Sequence, residues 1–102
     1  MGSYVKVGSV GDMKPGEGKL VEVGDKSIAL FNIDGSFYAI DDNCPHNGGP
    51  LSEGRVEGKS VTCGWHGSIF DVTSGAVIDG PATESVACFK VRVNGSDVEV
   101  EV

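Results

Sequence analysis

Both histidines of this 102-residue chain, and two of its three cysteines, fall into two short clusters nineteen residues apart. The first is Cys44-Pro45-His46 and the second is Cys63-Gly64-Trp65-His66. Solvent-facing histidines usually scatter through a sequence. Here each stands three or fewer positions from a cysteine, among glycines. The economical reading is one metal centre held by two loops, and it constrains the fold strongly, because two separate segments must meet at one point.

The donor chemistry narrows the metal. Thiolate and imidazole together suit zinc, or an iron–sulfur cluster in which histidines replace two of the four cysteines. Structural zinc sites usually pair cysteine with cysteine across roughly two to four residues and histidine with histidine across roughly three to five. In this chain each cluster mixes one cysteine with one histidine. That arrangement suits a rhombic two-iron cluster in which one iron takes both thiolates and the other both imidazoles. A zinc-bound interaction module is the competing reading, distinguished by lack of colour.

The segments Cys44-Pro45-His46-Asn47-Gly48-Gly49-Pro50-Leu51, Cys63-Gly64-Trp65-His66-Gly67-Ser68-Ile69-Phe70-Asp71 and Gly80-Pro81-Ala82 resemble the Rieske [2Fe–2S] proteins, most closely the soluble Rieske-type ferredoxins that feed electrons to oxygenases. The resemblance covers almost the whole chain. It implies one [2Fe–2S] cluster, with Cys44 and Cys63 on one iron and His46 and His66 on the other. Gly48, Gly49 and Gly67 would let backbone N–H groups approach the sulfides, besides forming turns. The Ser68 hydroxyl would point at a bridging sulfide, Trp65 would shield the cluster from water, and Pro81 would belong to a loop closing its third side. One position departs from the usual pattern: Gly64 stands where the family usually has proline. That removes a φ restriction and is expected to soften the loop without removing a ligand.

The resemblance also bears on potential. High-potential members carry an extra cysteine in each loop, joined as a disulfide, and a tyrosine whose hydroxyl bonds a ligand sulfur. The matching positions here are Gly49, Trp65 and Phe70. Fewer hydrogen bonds to the cluster make reduction harder. Within the roughly −150 to +300 mV spanned by such centres, the expectation is the lower end, with a potential nearly flat through neutral pH and falling only in alkali.

Composition excludes several other functions. With both histidines committed, none remains for a mononuclear iron held by two histidines and a carboxylate. No glycine-rich nucleotide fingerprint sits between a strand and a helix. The chain therefore reads as a one-electron carrier without a substrate site of its own. The resemblance implies a flavin-dependent ferredoxin reductase as donor and a terminal oxygenase as acceptor. A small Rieske subunit of another oxidoreductase, such as a nitrite-reductase-like complex, is the alternative. The net charge of −7 disfavours nucleic acid and favours partners with basic docking faces. Glu53, Asp41, Asp42 and Glu57 flank the cluster loops in sequence and are candidates for such docking. No long apolar run suggests a membrane span and no secretory signal opens the sequence. Only Cys88 remains beyond the ligands, so a reducing cytoplasm is the expected compartment. A monomer is expected, with Cys88 a structural thiol.

Periodicity predicts an all-β fold: a Rieske-like antiparallel sandwich or barrel with an inserted, loop-rich cluster-binding subdomain. Strands are predicted at 4–7, 20–23, 26–33, 37–40, 86–93 and 97–102, with turns at Asp34-Gly35-Ser36 and Asn94-Gly95. In the last strand Val98, Val100 and Val102 should face the core, and Asp97, Glu99 and Glu101 water. Residues 9–13 are predicted to form one helical turn capped by Ser9. The single domain then divides into a β base, 1–42 and 81–102, and a cluster-binding lobe, 43–80, with a thin core that metal binding supplements.

Overall fold

Strand Lys26–Ile33 organises the molecule. Its sequence, Lys-Ser-Ile-Ala-Leu-Phe-Asn-Ile, does not alternate apolar with polar, and from Ile28 onward every residue is buried. A strand with an unbroken apolar run must be covered on both faces. This one is, by two different layers.

The structure is a computed structural model describing residues 3–43, 49–64, 67–80 and 84–102. In chain order the strands are β1 (Tyr4–Ser9), β2 (Gly18–Val23), β3 (Lys26–Ile33), β4 (Ser36–Asp41), β5 (Arg55–Glu57), β6 (Ser60–Thr62), β7 (Ile69–Asp71), β8 (Val77–Asp79), β9 (Cys88–Phe89), β10 (Val91–Asn94) and β11 (Asp97–Glu101). Among the described residues one 3₁₀ turn, Leu51–Glu53, lies between β4 and β5. The strands form three sheets, ordered β1-β11-β10, β2-β3-β4-β9 and β5-β6-β7-β8. Every strand pairing is antiparallel.

The middle sheet contributes one face to each of two cores. Ile28 and Leu30 of β3 and Ala39 of β4 pack with Met13, Val21, Val98 and Val100. Ala29, Phe31 and Ile33 of β3 and Ile40 of β4 pack the other way, with Leu51, Val61, Cys63, Phe70 and Val72. Each fully buried Val, Leu, Ile or Phe among them contributes roughly 1.5–3 kcal/mol by leaving water. The second core joins the base to the segment 51–72. That segment is therefore not thinly packed, and the stretch 43–80 around it holds more sheet than predicted, since β5 to β8 form a continuous meander.

Turn chemistry explains the hairpins. β3 and β4 pair Ile33 with Ser36, leaving Asp34-Gly35 as a two-residue loop. Both carry positive φ, +53° and +92°, as such a loop needs. The buried Asn32 holds it, its Oδ1 accepting from Gly35 N at 2.8 Å. β10 and β11 close around Gly95-Ser96.

Three expectations need correction. Residues 9–13 form no helical turn among the described residues. β1 runs through Ser9, and the Asp12 carboxylate, rather than Ser9, caps the bend by accepting from Ser9 N at 3.0 Å. The predicted strand 86–93 is divided at Lys90, because β9 joins the middle sheet and β10 the first one. Lastly, Val98 and Val100 are fully buried as expected, but the opposite face of β11 is not open to water. Glu99 is 13% exposed, covered by Arg92, whose Nε donates to Glu99 Oε1 at 2.6 Å. Arg92 also lies over the Tyr4 ring, 4.1 Å from its centroid.

Candidate cluster site

Two loops leave the sheets near one another, and each is pinched at its base. The first begins after β4. Asp42 N donates to Ser27 O at 3.0 Å and Leu51 N donates to Asp42 O at 2.7 Å. The Asp42 carboxylate accepts from Ser52 N at 2.8 Å, and Asn43 bridges to Pro50. Asn43 and Pro50, seven positions apart, are thus held together. Asp41 adds a short turn, its Oδ1 accepting from Asn43 N at 2.9 Å.

The second loop connects β6 to β7. Cys63 N donates to Ser68 O at 2.7 Å, and Gly67 N donates to Cys63 O at 3.0 Å. Gly67 has φ +78°, a conformation that a side chain would resist. Cys63 is 1% exposed and belongs to the core joining base and lobe. Ser68 is fully buried.

The two loop bases are brought together by the 3₁₀ turn. Leu51, at the exit of the first loop, packs in the same core as Cys63 at the entry of the second. Gly54 closes the turn, its N–H donating to Leu51 O at 3.0 Å. From the far side, the Gly80 backbone lies against Gly67 and Ser68.

Of the predicted site residues, the structure therefore places Cys63, Gly49, Gly67 and Ser68 around one set of loop bases. Gly49 is buried beside Pro50. Cys44, His46, Gly48, Trp65, His66 and Pro81 lie outside the described residues. The described residues alone gather no group of three or more His, Cys, Asp or Glu. What the structure shows of the donor set fits a cluster: a buried soft donor at the mouth of a braced loop, with glycines where backbone must come close.

Sequence reasoning missed Asp42, Leu51 and Gly54 as the frame of the site. It placed Asp42 on a docking flank, but Asp42 is 4% exposed and committed to Ser52 N. A carboxylate directly before a Cys/His loop, followed by serine after it, was the available signal for such a cap. Glu57 also moves away from the loops, since it sits beside the β5–β6 hairpin turn and pairs with Arg55 at 3.5 Å. Glu53 stays exposed, on the turn between the loop bases. Cys88 is exposed, with Sγ donating to Thr73 O at 3.4 Å. Partial burial of the thiol, with Asp71 nearby, raises its pKa above the usual value.

Stacked antiparallel sheets, with Cys63 buried at the neck of one hydrogen-bonded loop and Asn43 bridged to Pro50 at the base of the other, define an all-β protein whose predicted ligand segments leave the sheets at braced points. The chain belongs to the Rieske [2Fe-2S] domain family, which it matches over residues 3–90. It is 36% identical to the biphenyl dioxygenase ferredoxin subunit of Pseudomonas sp. (strain KKS102), an alignment covering 97% of this chain and 92% of that protein. Among solved structures it is similar to a chain of the complex of reduced oxygenase and oxidized ferredoxin in carbazole 1,9a-dioxygenase. That likeness has a TM-score of 0.91 and 34% identity, and covers 96% of this chain and 92% of that one. A putative NADH-dependent nitrite reductase small subunit from Mycobacterium tuberculosis shares the fold, with a TM-score of 0.91 at 24% identity over 100% of this chain and 96% of that one. The group that belongs to this site is one Rieske-type [2Fe–2S] cluster.

Proposed function

We propose that this protein is the ferredoxin of a multicomponent oxygenase system, taking single electrons from a flavin-dependent reductase and passing them to a terminal oxygenase. The observation that carries the reading is Cys63, a buried thiol held at the neck of a hydrogen-bonded loop in a Rieske chain. The oxygenase assignment is supported by the named ferredoxin relatives at over a third identity across nearly the full chain. The nitrite-reductase-like alternative has less support, since that likeness extends to the fold alone.

In this reading Cys44 and Cys63 bind one iron, and His46 and His66 the other. The cluster supplies a site that accepts and releases one electron. The chain does the rest. The buried Cys63 neck excludes water from the thiolate side. Gly67 allows backbone to approach closely, and Phe70, fully buried in the core below, offers no hydroxyl to a ligand sulfur. Less donation of hydrogen bonds favours a potential near the lower end of the family's range. The lobe, 43–80, carries the centre on the base formed by 1–42 and 81–102. The reducing cytoplasm is the compartment that suits a chain with free thiols.

The test combines content and transfer. Purified protein should hold two iron and two acid-labile sulfide per chain, as a rhombic [2Fe–2S] centre must. It should be reduced by a flavin-dependent ferredoxin reductase, and it should reduce a Rieske oxygenase in stopped flow. Zinc in place of iron would refute the site, and transfer to a nitrite reductase but to no oxygenase would refute the assignment of partner.

A further inference from the structure

Two glycines outside the second loop lie close against the backbone at its two ends. Gly54 follows the 3₁₀ turn at the exit of the first loop. A Cβ built there would lie 2.5 Å from Thr62 O, 2.8 Å from Val61 Cγ2 and 3.1 Å from Leu51 O. Thr62 O belongs to the peptide that carries Cys63 N. Gly80 follows β8, and a Cβ there would lie 2.5 Å from Ser68 Cα, 2.9 Å from Gly67 O and 3.0 Å from Ser68 N. These atoms belong to the Gly67–Ser68 peptide, at the other end of the same loop. Backbone atoms cannot swing aside as a flexible side chain would. Contacts below about 3 Å from a real Cβ would force one chain to move.

We propose that Gly54 and Gly80 are positioning residues of the cluster, two bare backbone stops that grip the Cys63–Ser68 loop at its entry and exit and so set the spacing of the ligands on the two loops. The proposal rests on the reading of Cys63 and His66 as ligands. The Gly54 contact matters most, because it links the exit of the first loop to the entry of the second. It is also the cleaner probe. Gly54 has φ −74°, which any residue adopts, so alanine there introduces no backbone strain of its own and acts only through the contact. Gly80 has φ +98°, so alanine there adds strain to the contact.

The structure supplies a control for crowding in general. Gly75, in the β7–β8 turn, has φ +79°, and a Cβ there would collide with the Val86 backbone oxygen. Its three nearest neighbours all belong to Val86 and none to the backbone of either loop neck. Gly75→Ala should therefore lose thermal stability while leaving the cluster's signals alone.

The experiment uses holo protein of wild type and of the Gly54→Ala, Gly80→Ala and Gly75→Ala variants. Iron and sulfide content tests the ligand reading. Midpoint potential and the g values of the reduced protein test the grip. The expected result is full iron and sulfide in Gly54→Ala, with a displaced midpoint and altered g values, while Gly75→Ala keeps both at wild-type values. Wild-type midpoint and g values in Gly54→Ala, or an equal displacement in Gly75→Ala, would overturn the proposal. If Gly54→Ala does not load, Gly80→Ala against Gly75→Ala, matched in φ and in backbone collision, decides by the same two outcomes. Loss of rhombic signals from wild type itself would refute the ligand reading instead.

Discussion

Cys63 carries the sharpest consequence of a single side chain. Cys63 packs in the same core as Leu51, Val61 and Phe70, so a serine there would place a polar hydroxyl in an apolar setting and, by the ligand reading, bind iron more weakly than a thiolate. Cys63→Ser, and by the ligand reading Cys44→Ser, should yield colourless protein of lowered melting temperature. Full iron and sulfide in either variant, measured by metal analysis, would contradict the assignment. Gly64 behaves in the opposite way. A Cβ there meets nothing within 4 Å and its φ is ordinary, so Gly64→Ala should fit and restrict the unfolded chain. Thermal unfolding should show a gain of about 0.4–1 kcal/mol with no change in midpoint potential. Gly67 was legible as a glycine position from its place after His66. Gly54 was not, and Gly80 only as part of the Gly80-Pro81-Ala82 motif, because the loop-end backbone each one meets, Thr62 O for Gly54 and the Gly67–Ser68 peptide for Gly80, lies eight to thirteen residues away in sequence.

Among the elements, the β7–β8 connection is the most tightly specified. Asp71 Oδ1 accepts from Thr73 N at 2.7 Å and from Thr73 Oγ1 at 2.6 Å, and Gly75 N donates to Asp71 O at 2.7 Å. The Thr73 hydroxyl, with backbone N–H groups of Thr73 and Ser74, holds the Asp71 carboxyl below its ordinary value of 3.8 against the opposing effect of burial. A depressed carboxylate contributes stability that is present in full above its unfolded pKa and is lost as pH falls through the folded one. Asp71→Asn should therefore cost on the order of 1 kcal/mol at neutral pH. The gap to wild type should close as pH falls below 3.8, in urea titrations across pH. A constant gap down to strong acid would show that the turn does not depend on the charge. At this scale the sequence was informative where one strand kept one period. Strand 26–33 is observed at the predicted limits, and β11 differs by a single residue. It was uninformative for the three-residue strands β5 to β8, which are too short to display a period and owe their pairing to Val61, Phe70 and Val72 in the shared core. Lys90 marks a third case: alternation runs straight through a residue at which the chain changes sheets.

For the molecule as a whole, the excess of fifteen acidic over eight basic residues shapes encounters with partners. With Asp42 buried and Glu57 paired at the remote hairpin, Glu53 is the exposed acid on the turn joining the loop bases. Glu53→Lys changes the local charge by two units and should slow reduction of a partner at low salt. The difference should fade near 1 M salt, where the screening length drops to about 3 Å. Identical rates for both proteins at every ionic strength, in stopped flow, would remove Glu53 from the docking face. The Rieske assignment was readable from four residues and their spacing, because metal ligation tolerates few substitutes. The layering was not, since nothing in a lone sequence says that Ile28 and Ala29 serve different cores.

That layering bears on the speed of electron exchange. Any shift of atoms that accompanies the arrival of charge must be completed before an electron can move, and it slows the step. Cys63 is rooted in packing that continues through Phe31 and Ala29 into the middle sheet, whose other face is closed by Val98 and Val100. A sulfur anchored that way has little room to relax as the oxidation state changes. By the ligand reading, the inner reorganisation on the thiolate side should therefore be small. A protein that only has to give and take one electron is served by that immobility on one side of its cluster.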